Sequence, residues 1–214
     1  MKKKKKNKNT IDQTSEHKKS SLKYHIQKLS FAGIITAVSV VLILPSFKIF
    51  PAANFLEYNP SDIPIILASM CLGPLWGGLI ALAVSAIQAL TISAQSGLYG
   101  FLMHFSATFV FALVTGLIFS PTSDKRKEIF GSSKSAVLRV WISLIIGGVA
   151  SALIMIPMNL VFVPLFMGGT YKDVVPMLLT AIVPFNALKM ILNCSATGVL
   201  FISSKPVLNK LHSK

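Results

Sequence analysis

"IPIILASMCLGPLWGGLIALAVSAIQALTISAQSGLYGFLMHFSATFVFALVTGLIFSPTS", residues 63–123, runs for 61 positions without a charged side chain. How many times it crosses a membrane decides the fold. A helix of about 20 apolar residues spans the hydrocarbon of a bilayer, so the run holds two or three crossings. Its punctuation favours three: the glycines of "GPLWGG" (73–78) and "SAQSGLYG" (93–100) break helices. That leaves spans at about 62–72, 75–93 and 100–119. The first is short for a full crossing and is expected to be tilted or shielded by its neighbours.

The rest of the chain is of the same kind. Residues 29–47 and 140–171 are also uncharged, and of the 214 residues 53% are hydrophobic and 13% charged. With a mean hydropathy of +0.67, this composition is too apolar for an ordinary soluble domain. Charge placement tests the division, because short loops rich in Lys and Arg stay cytoplasmic. Ten of the 21 basic residues fall in 1–28, five in "SDKRKEIFGSSKSAVLR" (123–139) and three in "SKPVLNKLHSK" (204–214). Three crossings between the first two groups put both on one side; two would strand the second outside.

Adding spans at about 138–163 and 176–203 gives an all-α membrane protein with six transmembrane helices and both termini cytoplasmic. Its parts are a basic tail (1–28) expected to be disordered, a six-helix membrane domain (29–203) and a short tail (204–214). The formal charge of +14 is thus no sign of nucleic-acid binding; the tail is expected to touch anionic lipid. No cleavage site for a signal peptide follows "VVLILPSF", so residues 29–47 are read as the first span. Cys71 and Cys194 sit inside apolar runs without metal-ligand spacing and are expected to be buried thiols.

Phosphate-loop, zinc-helix and nucleophile-elbow motifs are all missing from the sequence, so no catalytic residue and no metal site is assigned. Lys189, in "PFNALKMILNCS" (184–195), is the anomaly: an ammonium at a helix centre costs on the order of 2.5–3.5 kcal/mol. At about 100° per residue, Asn186, Lys189 and Asn193 share one face of the last helix. That face has two readings. Either Lys189 is a structural cation bonded to helix-end carbonyls or to Asp62, or the three line a ligand pocket. Gln88, Thr91, Gln95 and His104 from earlier spans and Asn159 from the fifth are candidates to converge on it. In "IPMNLVFVP", Pro157 and Pro164 are expected to interrupt helix bonding beside Asn159. A mostly apolar cavity with a few amides suits a heteroaromatic small molecule better than an ion. In the first span, Ala32, Gly33, Thr36 and Ala37 form a small-residue face, for internal packing or for docking another membrane protein.

The motifs of residues 54–108 carry a resemblance. "LEY-x-PSDIP", "GP-x-x-G", "S-x-IQ-x-x-T" and "SG-x-x-G-x-x-MHF-x-A" occur in order. With the later "PMNLVFVP" and "N-x-x-K", they resemble the riboflavin-specific substrate-binding (S) components of energy-coupling factor (ECF) vitamin transporters, over about residues 30–203. The resemblance implies a multi-pass cell-membrane protein that captures riboflavin from outside. It would deliver the vitamin with a transmembrane coupling protein and two ATPase subunits, riboflavin being cargo and not a cofactor.

It implies flavin contacts from Leu56, Asn159, Asn186 and Lys189, with Gln88, Gln95 and His104 as lesser candidates. It also implies docking on the coupling protein through Ala32, Gly33, Thr36 and Ala37. Here the family's A-x-x-x-A pattern reads Gly33-Ile34-Ile35-Thr36-Ala37, a departure that keeps the face small. The competing expectations are an S component for another vitamin and a structural membrane subunit without a ligand. An enzyme using His104 and Lys189 as acid and base is disfavoured by the apparent lack of a carboxylate within the membrane.

Overall fold

The computed structural model describes residues 22, 23, 25–49, 53, 56–119 and 134–212, the stretch from 205 by its backbone alone. Of the expected tail 1–28, residues 1–21 and 24 lie outside the described residues, as do residues 123–133 of the basic segment 123–139; residues 22, 23 and 25–28 are helical. The chain divides into two units, Met1–Ile34 and Ile35–Lys214. Within the first, the described residues are helical; the second holds the elements that position the site.

Helix α1 runs His25–Val41 and not 29–47 as the uncharged run suggests. Pro45 has no N–H to give and drives the residue before it out of the helical region. The chain tightens through Ile43 N–H to Val40 O and Leu44 N–H to Val41 O, and Ser46 Oγ caps the carbonyl of Ile43 at 2.8 Å. The following loop holds a small hairpin that the sequence did not suggest, β1 (Phe47–Lys48) antiparallel to β2 (Glu57–Tyr58). Lys48 and Glu57 face each other across it at 3.4 Å, an exposed pair worth at most about 1 kcal/mol.

Helix α2 is Asp62–Leu72, matching the expected short span. Eleven residues rise only about 16 Å, roughly half the hydrocarbon thickness. Ile63–Ile66 and Ala68–Met70 are all buried, so α2 is shielded by protein on every side, as a helix apolar all round should be. The turn to α3 (Pro74–Leu90) is made at Gly73, whose φ of 106° suits glycine, with Pro74 at the first helical position where its missing N–H costs nothing. A 3-10 turn, Ala94–Ser96, leads to α4 (Gly97–Phe119).

Helix α5 is Lys134–Met167. The helix continues through Pro157 and Pro164, and the expected interruption is confined to the bonding: neither ring has an N–H for the carbonyl four residues earlier, Leu153 and Leu160. α6 (Tyr171–Met177) passes through a π-helical stretch, Leu178–Ile182, into α7 (Val183–His212), which continues beyond residue 203. Among the described residues, three helical segments are long and apolar enough to cross a membrane, Ala94–Phe119, Lys134–Met167 and Tyr171–Ser204; the shorter His25–Val41, Asp62–Leu72 and Pro74–Leu90 bring the apolar helices described to six.

One core joins α2, α4, α5 and α7: Ile66 and Met70, Phe111 and Phe119, Val140 and Leu144, Cys194 and Phe201. Phe119 and Phe201 meet edge to face at 5.0 Å. Lipid tails are as apolar as these side chains, so close van der Waals packing and interhelical hydrogen bonds hold this core in a membrane. Cys194 contributes one such bond, its Sγ 3.3 Å from the Leu144 carbonyl oxygen. A second cluster pins the loop after β1: Ala53 and Leu56 pack with Val163, Val174, Ala181, Ile182 and Phe185.

Helix α6 starts with a capping box. Asp173 accepts the Thr170 backbone N–H at 2.8 Å and its hydroxyl at 2.9 Å.

Candidate functional site

A carboxylate opens the site. Asn59 Oδ1 accepts from both Ser61 N–H and Ser61 Oγ, a local turn that delivers Asp62 as the first residue of α2. Its side chain is only 2% exposed. The N-terminal end of a helix favours a negative charge, and four side chains from two other helices surround this one. Thr108 Oγ1, on α4, donates to Asp62 Oδ1 at 2.6 Å. From α7, Lys189 Nζ lies 2.9 Å from Oδ2 and Asn193 Nδ2 donates to the same oxygen at 3.1 Å. His104 Nε2 stands 3.5 Å from Oδ1 without hydrogen-bond geometry, while its Nδ1 is 2.7 Å from Ser85 Oγ on α3.

The network reaches the hairpin as well. Tyr58 OH donates to Asn193 Oδ1 at 3.2 Å, and partial burial, with Asp62 adding to it, raises the Tyr58 phenol above 10.0. A chain of bonds thus runs from β2 through Asn193 and Asp62 to Lys189.

Beside this network lies a narrow crevice lined by Ala107, Phe111, Gly148, Ser151, Ala152, Asn186, Lys189, Met190 and Asn193, with room for about one water molecule. The expected common face of Asn186, Lys189 and Asn193 is therefore present, and all three line this crevice. Pockets for drug-sized ligands run from about 300 to 1,000 Å³, so a large ligand enters only as the walls part. Asn186 is buried, with Nδ2 bonded to the Ile182 carbonyl at 2.8 Å. That carbonyl belongs to the π-helical stretch, and such stretches often mark functional places in helices.

The other expected residues divide. Asn159 is fully buried, Nδ2 on the Met155 carbonyl at 2.7 Å and Oδ1 without a partner. Leu56 is buried against the second cluster, among residues of α5, α6 and α7. His104 belongs to the Asp62 network. Gln88 instead bonds Ser93 at 3.4 Å, Thr91 caps the Ile87 carbonyl, and Gln95 is exposed on the 3-10 turn; none of the three lines the crevice. On α1, Ala32 is buried, Thr36 half-buried, and Gly33 and Ala37 exposed.

One expectation is corrected. His104 and Lys189 do have a carboxylate beside them: Asp62, at the edge of the uncharged run, turns inward between α4 and α7. The pairing of Lys189 with Asp62 was one of the two readings of that face and is present, whereas Thr108, Ser85 and Tyr58 were missed. The available signal was charge balance, because an ammonium within the membrane needs an anion and Asp62 is the acid next to the long apolar run. Among the described residues, no group of three or more His, Cys, Asp or Glu could hold a metal ion.

The described residues thus form a mostly helical bundle, apolar enough for a membrane, with a narrow polar-walled crevice between its helices. The chain belongs to the substrate-specific components of ECF transporters, whose family model matches residues 27–201. It is 24% identical over 191 residues to the riboflavin transporter FmnP of Bacillus subtilis (strain 168), covering 88% of this chain and 97% of that one. It is 25% identical over 193 residues to the riboflavin transporter RibU of Streptococcus thermophilus (strain ATCC BAA-250 / LMG 18311), covering 86% of each. A solved S component of a bacterial ECF transporter shares the fold, with a TM-score of 0.67 at 22% identity over 89% of this chain and 99% of that one. The chain is thus a membrane-embedded transporter component.

Proposed function

We propose that this S component captures riboflavin. The observation that carries the reading is similarity over nearly the whole chain to two proteins named as riboflavin transporters. The crevice supports it: Lys189, Asn186 and Asn193 offer N–H donors beside Phe111 and Met190, a combination matched to a flat heteroaromatic ring bearing carbonyl and imine acceptors. In this reading Asn186 and Lys189 bond the ligand, Leu56 closes over it from the hairpin loop, and Asn159 supplies its unpartnered Oδ1. Gln88, Gln95 and His104 take lesser parts.

The protein would sit in the cell membrane with both termini cytoplasmic. Riboflavin would enter from outside and pass inward with a transmembrane coupling protein and two ATPases, docked through Ala32, Gly33, Thr36 and Ala37 on α1.

One observation favours a second reading of Lys189. Its ion pair with Asp62 is what a purely structural cation would make.

Protein purified in detergent from cells grown with riboflavin is expected to be yellow, with near-stoichiometric bound flavin of quenched fluorescence. A colourless protein that also fails to quench added riboflavin would reject riboflavin and point to another vitamin.

A further inference from the structure

Two donors on the crevice wall are already partly engaged. Lys189 and Asn193 each spend an N–H on the same oxygen, Asp62 Oδ2. Asp62 does not itself line the crevice; it stands behind the wall, with its other oxygen held by Thr108. An ammonium has three N–H donors and an amide two. After bonding Asp62, Lys189 keeps two for a ligand and Asn193 keeps one. Asn186, with one N–H on the Ile182 carbonyl, keeps another.

Charge adds a second effect. At 2.9 Å the carboxylate cancels the ammonium, so the wall is rich in donors yet electrically neutral. Such a wall accepts a ligand edge of uncharged acceptors. An anion entering there would find its attraction to Lys189 offset by repulsion from Asp62, and would have to outbid a carboxylate already in place.

We propose that Asp62 is a positioning and specificity-determining residue of this site: it aims Lys189 and Asn193 into the crevice and cancels the lysine's charge, selecting uncharged, acceptor-bearing ligands over anionic ones. The assignment rests on the crevice being the riboflavin site.

The test titrates ligand-free, full-length protein in detergent with riboflavin and, separately, with riboflavin 5′-phosphate, following flavin fluorescence, for the wild type, Asp62→Glu and Asp62→Asn. The wild type is expected to bind riboflavin more tightly than the phosphate. Asp62→Glu keeps the charge but moves it by a methylene; it is expected to fold and to lose at least tenfold in riboflavin affinity, with the preference between ligands unchanged. Asp62→Asn should weaken riboflavin further while narrowing the preference by on the order of tenfold, since one negative charge about 10 Å from a phosphate matters that much at an effective dielectric constant near 20. A merely structural role would lower yield and melting temperature without moving that ratio.

Wild-type protein that binds riboflavin, alongside folded variants that keep its affinity and its preference, overturns the role of Asp62 alone. Wild-type protein that binds neither flavin overturns the riboflavin reading and this assignment with it. Where Asp62→Asn yields no folded protein, Asp62→Glu decides: wild-type affinity overturns the proposal, and a loss of tenfold or more supports it.

Discussion

Lys189→Met is expected to weaken riboflavin binding by ten- to a hundredfold or more and to destabilise the ligand-free protein at the same time. The first effect follows from losing charged hydrogen bonds to the proposed ligand, worth about 1.5–3 kcal/mol each. The second follows from Asp62, which is 2% exposed and would be left as a buried anion with only Thr108 and Asn193 to hold it. Breaking one side of a buried pair costs about 3–5 kcal/mol.

The double variant Lys189→Met/Asp62→Asn separates the two effects. It removes both charges and should recover most of the melting temperature while recovering none of the affinity. Recovery of both would mean that Lys189 is structural and never touches the ligand. Fluorescence titration and thermal unfolding of the same samples give the two readouts.

Gly147→Leu is expected to be the most damaging change away from the polar network. A Cβ at Gly147 would collide with Thr115 Oγ1 and approach the Phe111 carbonyl oxygen to 3.0 Å, so α4 and α5 touch here almost backbone to backbone. Small residues allow such approaches in membranes, where packing and not water drives association. Thr115 also donates to the Ser143 carbonyl at 3.3 Å, a bond the displaced helices would lose. Overpacking of a close-packed site costs about 1–3 kcal/mol even where atoms can shift, and a backbone atom shifts least. Gly147→Leu should therefore give little monodisperse protein, whereas Gly33→Leu, where a Cβ meets nothing within 4 Å, should purify normally. Size-exclusion yields of the two variants decide the point.

Much of this architecture was readable from the order of apolar runs and charges. The short span at 62–72 appears in the structure with those same limits, because Asp62 at its start and Gly73-Pro74 after it mark both ends. The division of the 61-residue run into three holds for the same reason. The end of α1 was misplaced because hydropathy continues past Val41, whereas backbone bonding fails near Pro45. The hairpin after α1 was invisible, since two residues per strand carry no periodic pattern.

In the site, local spacing found the face of Asn186, Lys189 and Asn193, which is a property of one helix. The partner of Lys189 comes from a different helix far away in sequence; charge balance offered Asp62 as one of two readings, and no local rule could choose between them. For Gln88 and Gln95, polarity within a span flags a residue without saying where its side chain turns: Gln88 Nε2 bonds Ser93 while its Oε1 has no partner, and Gln95 lies exposed on the 3-10 turn.

The pairing of Asp62 with Lys189 has an electrical consequence. A lone ammonium carried through the membrane potential would exchange about 2.3 kcal/mol for every 100 mV it traverses, tying each movement of its helix to the energetic state of the cell. Bound together at 2.9 Å, the two side chains travel as a dipole and contribute no gating charge when α2 and α7 move in concert. Rearrangements that keep the pair intact are therefore insulated from voltage at this point, and only a motion that separates Asp62 from Lys189 would feel the field.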